Sequence, residues 1–100
     1  MTPATLRSFA EEHPRAVKPL RSWVRIVQKS RFADLSELRQ VFPSADLAKA
    51  KDGTVLTIFN IGGNNYCLVT VVSYRSQRVY VRKIMTHRDY DKWNDEGRLT

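Results

Sequence analysis

With 100 residues, 42% of them hydrophobic and 27% charged, the chain has the composition of one small folded domain and not of a disordered segment. Its formal net charge of +7 is the outlying quantity, and it points to a polyanionic partner. The single cysteine, Cys67, excludes an internal disulfide framework and a cysteine-built zinc site, and no run approaches the roughly 18 apolar residues of a membrane span.

Met1 to Ala10 lacks the apolar run of a signal peptide, so a cytoplasmic protein is expected. An anionic membrane surface is the competing partner for so basic a chain, but it normally needs a basic amphipathic helix or a lipid anchor, and neither is read here. Thr2 and Pro3 read as N-cap and first helical residue of a helix from about Pro3 to Glu12. His13-Pro14 interrupts it, because proline disfavours helical geometry in the residue before it. A second helix, about Arg15 to Ser30, carries Val17, Leu20, Trp23, Val24 and Val27 at helical spacing and Arg15, Lys18, Arg21, Arg25 and Lys29 on its other side. Asp34 followed by Glu37 resembles a capping box for a third helix holding Leu35, Leu38 and Val41, stopped near Pro43.

From Thr54 the periodicity changes to that of strands: Thr54–Ile61, Asn65–Tyr74 and Arg78–Met85, turned at Gly62-Gly63-Asn64 and at Arg75-Ser76-Gln77. Thr86 reads as the N-cap of a short last helix with Asp89 in its first turn. The whole, residues 1–100, reads as a single α+β domain, with N-terminal helices on a small, mainly antiparallel sheet and a short C-terminal helix. A two- or four-residue connection around Ser76-Gln77 sets residue 73 opposite 80, 71 opposite 82 and 67 opposite 86. Leu68, Thr70, Val72, Val79, Val81 and Met85 then share a face suited to packing under the helices. Cys67, Val69, Val71, Ser73, Arg78, Tyr80, Arg82 and Thr86 share the face expected to meet RNA.

His13 and His87 lie far apart, with no metal-ligand spacing, so neither a metal nor a cofactor is expected. Gly62-Gly63-Asn64 precedes a strand and lacks the helix N-terminus of a phosphate-binding glycine loop, so it reads as a hairpin turn. Cys67 lies in an apolar strand, where a buried inert thiol is the ordinary outcome; a Cys67–His87 nucleophile pair is the remote alternative. Arg82 alternates with Tyr80 and Ile84 and is either an edge-blunting charge or a phosphate clamp. Lys49, Lys51, Arg75 and Arg78 read singly as solvated charges and together as holders of an RNA backbone. His87 is either a surface histidine at a helix start or a proton-transfer group, since imidazoles titrate near neutrality. Tyr90 and Asp91, within one turn of it, favour the second reading.

Phe59-Asn60-Ile61-Gly62-Gly63-Asn64, Tyr66, Leu68-Val69, Arg82 and Met85-Thr86-His87 with Tyr90-Asp91 resemble the HigB toxins of bacterial toxin–antitoxin systems, the branch grouped with RelE-like RNA-cleaving toxins. Val41-Phe42-Pro43-Ser44 and the helical first half fit as well, so the resemblance covers nearly the whole chain. It implies a RelE-like fold and metal-independent cleavage of messenger RNA on the translating ribosome through the substrate's own 2′-hydroxyl. It also implies a cognate HigA-type antitoxin bearing a helix-turn-helix. On that reading His87 and Tyr90 handle protons, Arg82 stabilises charge on the phosphate, and Asp91 orients His87 or Tyr90. The family's Asn-x-Tyr-Arg-Leu pattern stands here as Asn64-Asn65-Tyr66-Cys67-Leu68, and a thiol has neither the charge nor the forked donors of arginine. Either Arg82 and other cations cover the phosphate, or the chain is a weakened or inactive form that only binds RNA or antitoxin.

Overall fold

The computed structural model describes residues 4–63 and 65–96. Chain order gives α1 (Ala4–Glu12), a 3-10 turn (Pro14–Ala16), α2 (Val17–Lys29), α3 (Leu35–Val41), β1 (Asp46–Lys49), β2 (Val55–Ile61), β3 (Tyr66–Ser73), β4 (Arg78–Thr86) and α4 (His87–Asp95). The expected α+β architecture holds, with helix and strand ends shifted by a residue or two. Thr2, Pro3 and the Asn64 position of the first turn lie outside the described residues.

Local chemistry accounts for the helix ends. Asp34 accepts the Glu37 backbone N–H at 3.0 Å and starts α3, while the Glu37 carboxylate reaches back to the Ala33 N–H at 3.1 Å. Pro19 stands in the first turn of α2, where its missing N–H has no helical partner to lose. His13 stacks on Phe9 with ring centroids 4.2 Å apart and meets the edge of Tyr66, so it bridges the end of α1 to the sheet.

The sheet is an antiparallel meander in the order β1-β2-β3-β4. β1 is absent from the sequence reading. Its Asp46, Ala48 and Lys49 are poor strand formers, and only pairing with Val55–Ile58 makes them a strand. One face carries Phe59, Ile61, Tyr66 and Leu68 against Leu6, Leu20, Trp23 and Leu38 of α1 to α3. The other carries Leu56, Ile58, Cys67, Val69 and Met85 against Trp93 of α4. α4 therefore lies on the sheet face opposite the other helices.

The β3–β4 register corrects the expected faces. Ser73 pairs with Arg78 across a four-residue connection, Val71 with Tyr80, and Thr70 with Val81. A β-bulge follows: Val69 pairs with Lys83, leaving Arg82 as the extra residue, so Cys67 faces Met85 and Tyr66 faces Thr86. The extra residue flips every side chain beyond it. Val79 and Val81 and then Ile84 all meet the helical core, while Met85, expected there, packs with Cys67 and Trp93 instead. Cys67 and Val69, expected to face RNA, are 1% and 0% exposed beneath α4. Gln77 holds the turn in place from a left-handed φ of 55°. Its amide accepts from the Phe32 N–H at 2.8 Å and donates to the Phe32 carbonyl at 2.7 Å.

Candidate active site

Gly62 and Gly63, at φ of +65° and +60°, turn β2 into β3 in a conformation that side chains rarely adopt. The turn is a hairpin, as expected, and it fixes the start of α4. The Asn65 side chain donates to the Gly62 carbonyl at 2.7 Å, and the Asn65 carbonyl accepts the His87 backbone N–H at 3.1 Å. Thr86 completes the junction by capping α4, its hydroxyl accepting the Asp89 N–H at 3.2 Å. The first residue of α4 is thus held from both sides, and that residue is His87.

The imidazole is exposed, its ring nearly parallel to that of Tyr90 with centroids 6.2 Å apart. Tyr90 in turn packs by Trp93, 5.8 Å between centroids, at the edge of the core under α4. Beneath the imidazole lies Cys67, its Sγ 3.5 Å from His87 Nδ1 and 3.8 Å from Asn60 Oδ1. Burial pushes the Cys67 thiol up to about 11, with the Asp91 carboxylate adding to the rise. His87, Tyr90 and Cys67 are therefore brought together, with Asp91 next to Tyr90 on α4.

Cys67 is neither a phosphate contact nor a nucleophile in this arrangement. A thiol held protonated and 1% exposed cannot meet a phosphate, and its thiolate, the reactive form, is scarce at neutral pH. Below pH 9, alkylation of Cys67 in the folded protein should run about 100-fold slower than in urea, because burial lifts the thiol to about 11 from its ordinary value of 9.0, before any steric shielding. Iodoacetamide labelling followed by mass spectrometry measures it. Rates equal in the two states would show that the thiol is open to solvent.

Arg82 stands apart from this cluster. At the bulge its exposed side chain lowers the pKa of Asp52 as a minor cause, behind the hydrogen bonds Asp52 takes from Thr54. It lines a groove of about 420 Å³ with Thr5, Lys83, Asp89, Lys92 and Glu96. Those α4 residues occupy the flank of the helix away from His87, Tyr90 and Asp91. Lys49, Lys51, Arg75 and Arg78 are exposed at the other end of the sheet, on β1, the β1–β2 turn, the β3–β4 turn and the start of β4. The nine residues of strand from Arg78 to Thr86 span roughly 25 Å, so these cations lie at the end of the sheet away from His87.

Asn60 is the site residue that sequence reasoning missed. It pairs directly with Cys67 across the β2–β3 hairpin. The sequence signal for it is strand alternation across the Gly62-Gly63 hairpin, which sets residue 60 opposite 67. Asp52 has no comparable signal, since its approach to Arg82 depends on the fold of a turn.

Residues 16–93, which include His87, Tyr90 and Asp91, match the family described as HigB_toxin, RelE-like toxic component of a toxin–antitoxin system. The mRNA interferase toxin HigB of Escherichia coli (strain K12) is 35% identical over 91 residues, covering 91% of this chain and 86% of that protein. The mRNA interferase HigB of Shigella flexneri gives the same identity and coverage. That of Escherichia coli O6:H1 is 27% identical over 89 residues, 89% of this chain and 84% of that protein.

Proposed function

This chain belongs to the HigB toxin family, the RelE-like toxic component of toxin–antitoxin systems, and from that membership we propose that it cuts messenger RNA in the cytoplasm, on the translating ribosome and without a metal. The observation that carries the site is the His87–Tyr90–Asp91 cluster at the start of α4, two aromatic proton-bearing groups and a carboxylate against an exposed face. The 2′-hydroxyl of the substrate attacks phosphorus, forming the O2′–P bond as the P–O5′ bond breaks. One proton leaves the 2′-hydroxyl and one reaches the 5′-oxygen, which is work for a base and an acid held at fixed geometry. His87 and Tyr90 take those roles, and Asp91 orients them. Arg82, with Lys83 and Lys92 in the groove along α4, carries the RNA backbone and its charge. Lys49, Lys51, Arg75 and Arg78, at the far end of the sheet, hold RNA of the message or of the ribosome. A HigA-type helix-turn-helix antitoxin silences the toxin by covering this surface.

The buried thiol at position 67 favours a second reading, a toxin of reduced activity, because no forked donor reaches a phosphate from that strand. Incubating the chain with ribosomes translating a defined message separates the readings. Cuts within the translated region, abolished by the antitoxin, are expected; ribosome binding without any cut would leave a binding module.

Binding itself should be electrostatic. The ribosome-pelleted fraction should fall steeply as salt rises, with a log–log slope of about −0.7 for each single-strand phosphate contact. A flat salt dependence would replace the cationic surface by an apolar one.

A further inference from the structure

Cys67 is the one chemically distinctive group at the site that the proposed mechanism leaves unused. It sits 3.5 Å from His87 Nδ1 while remaining 1% exposed, in a layer of Ile58, Val69, Met85 and Trp93. A thiol has one proton to give and two neighbours to receive it. Asn60 Oδ1 lies farther off, at 3.8 Å, and is the weaker base. Solvent cannot compete for that proton, and the thiol is retained in its protonated form well above neutral pH.

We infer that Cys67 is a positioning residue that donates its S–H to Nδ1 of His87, fixing the neutral imidazole as the Nε2–H tautomer and turning a hydrogen-bond donor, not a lone pair, toward the RNA. The inference rests on the proposed ribonuclease reading for its catalytic meaning, and it sharpens it. A ring that meets the substrate through Nε2–H cannot take the proton of the 2′-hydroxyl at that nitrogen. His87 therefore stands on the leaving-group side. In its charged form the ring keeps both protons, Nδ1–H facing the sulfur. It hands the Nε2 proton to the 5′-oxygen as the P–O5′ bond breaks and ends neutral with its remaining proton on Nδ1, which the sulfur accepts until solvent protons restore the resting Nε2–H ring. The sulfur suits each state, as donor to the resting Nε2–H ring and weak acceptor from a ring that carries a proton on Nδ1. Removal of the 2′-hydroxyl proton then falls to another group at the site, with Tyr90 and Asp91 the nearest in sequence.

The tautomer can be read without RNA. Long-range proton–nitrogen correlation on the labelled protein, above neutral pH, should show His87 Nε2 protonated and Nδ1 as a hydrogen-bonded acceptor. Cys67→Ser keeps a donor of similar size and should retain both shifts. Cys67→Ala removes the donor, and the two nitrogen shifts should move toward the averaged values of a ring exchanging between tautomers. Averaged shifts in the unaltered protein, a proton on Nδ1, or no movement in Cys67→Ala would each overturn the hydrogen bond. In cleavage assays Cys67→Ala should lower kcat about tenfold, the rate equivalent of one hydrogen bond, with KM unchanged and with recovery in Cys67→Ser. An equal kcat in Cys67→Ala would overturn the positioning role. If the unaltered chain cuts no RNA, the ribonuclease reading fails, while the nitrogen shifts still decide the tautomer.

Discussion

Replacing His87 by glutamine should lower cleavage of a translated message by about 10²–10⁴-fold, the usual contribution of a positioned general acid or base. Glutamine is close to histidine in reach and keeps an N–H that can hydrogen-bond to phosphate, but an amide does not release that proton. The substitution therefore isolates proton transfer from simple contact. It should leave the fold intact, because the His87 ring is exposed and the helix start is fixed by backbone and cap: the His87 N–H on the Asn65 carbonyl and the Thr86 hydroxyl on the Asp89 N–H. Ribosome pelleting should be unchanged for the same reason, since the clustered cations lie elsewhere on the sheet. A variant that cleaves as fast as the parent would remove His87 from the chemistry. One that fails to bind ribosomes would make it a docking residue.

Much of this site was legible in the sequence because its parts are local. Thr86, His87, Asp89, Tyr90 and Asp91 fall within six residues, and a capped helix start places them by its own geometry. The Gly62-Gly63 turn announced itself, since only a hairpin explains two glycines between β-branched runs. What failed was long-range. In the sequence Arg82 alternates regularly with Tyr80 and Ile84, but the bulge makes it the extra residue of β4 and sends Met85 to the opposite core. A bulge has no signature in strand periodicity; it is set by how β4 must twist against β3. The burial of Cys67 has a separate long-range cause, α4 folding back over that face. Strand β1 escaped because four residues with an aspartate and a lysine carry no strand pattern of their own.

Cys67→Arg should raise cleavage by about 10²–10³-fold over the Cys form, the scale of one charge-assisted contact aimed at a transition state. Position 67 is where the family pattern carries arginine, and the Cys67 side chain ends within 3.5 Å of the His87 ring. An arginine there is long enough to pass the imidazole and Asn60 and bring its guanidinium to the exposed side of the site. Its inner N–H can still donate to Nδ1, so the ring keeps its tautomer while a second donor meets the phosphate. The gain has a structural cost. Cys67 is 1% exposed among Val69, Met85 and Trp93, and forcing a larger side chain into such a layer destabilises a protein by about 1–3 kcal/mol. Activity and thermal stability should therefore move in opposite directions, a combination that neither better folding nor higher expression produces. The measurement is growth arrest on induction, cleavage rate and melting temperature for the two forms side by side. If the Cys form arrests growth as strongly as the Arg form, position 67 is no phosphate clamp in this protein.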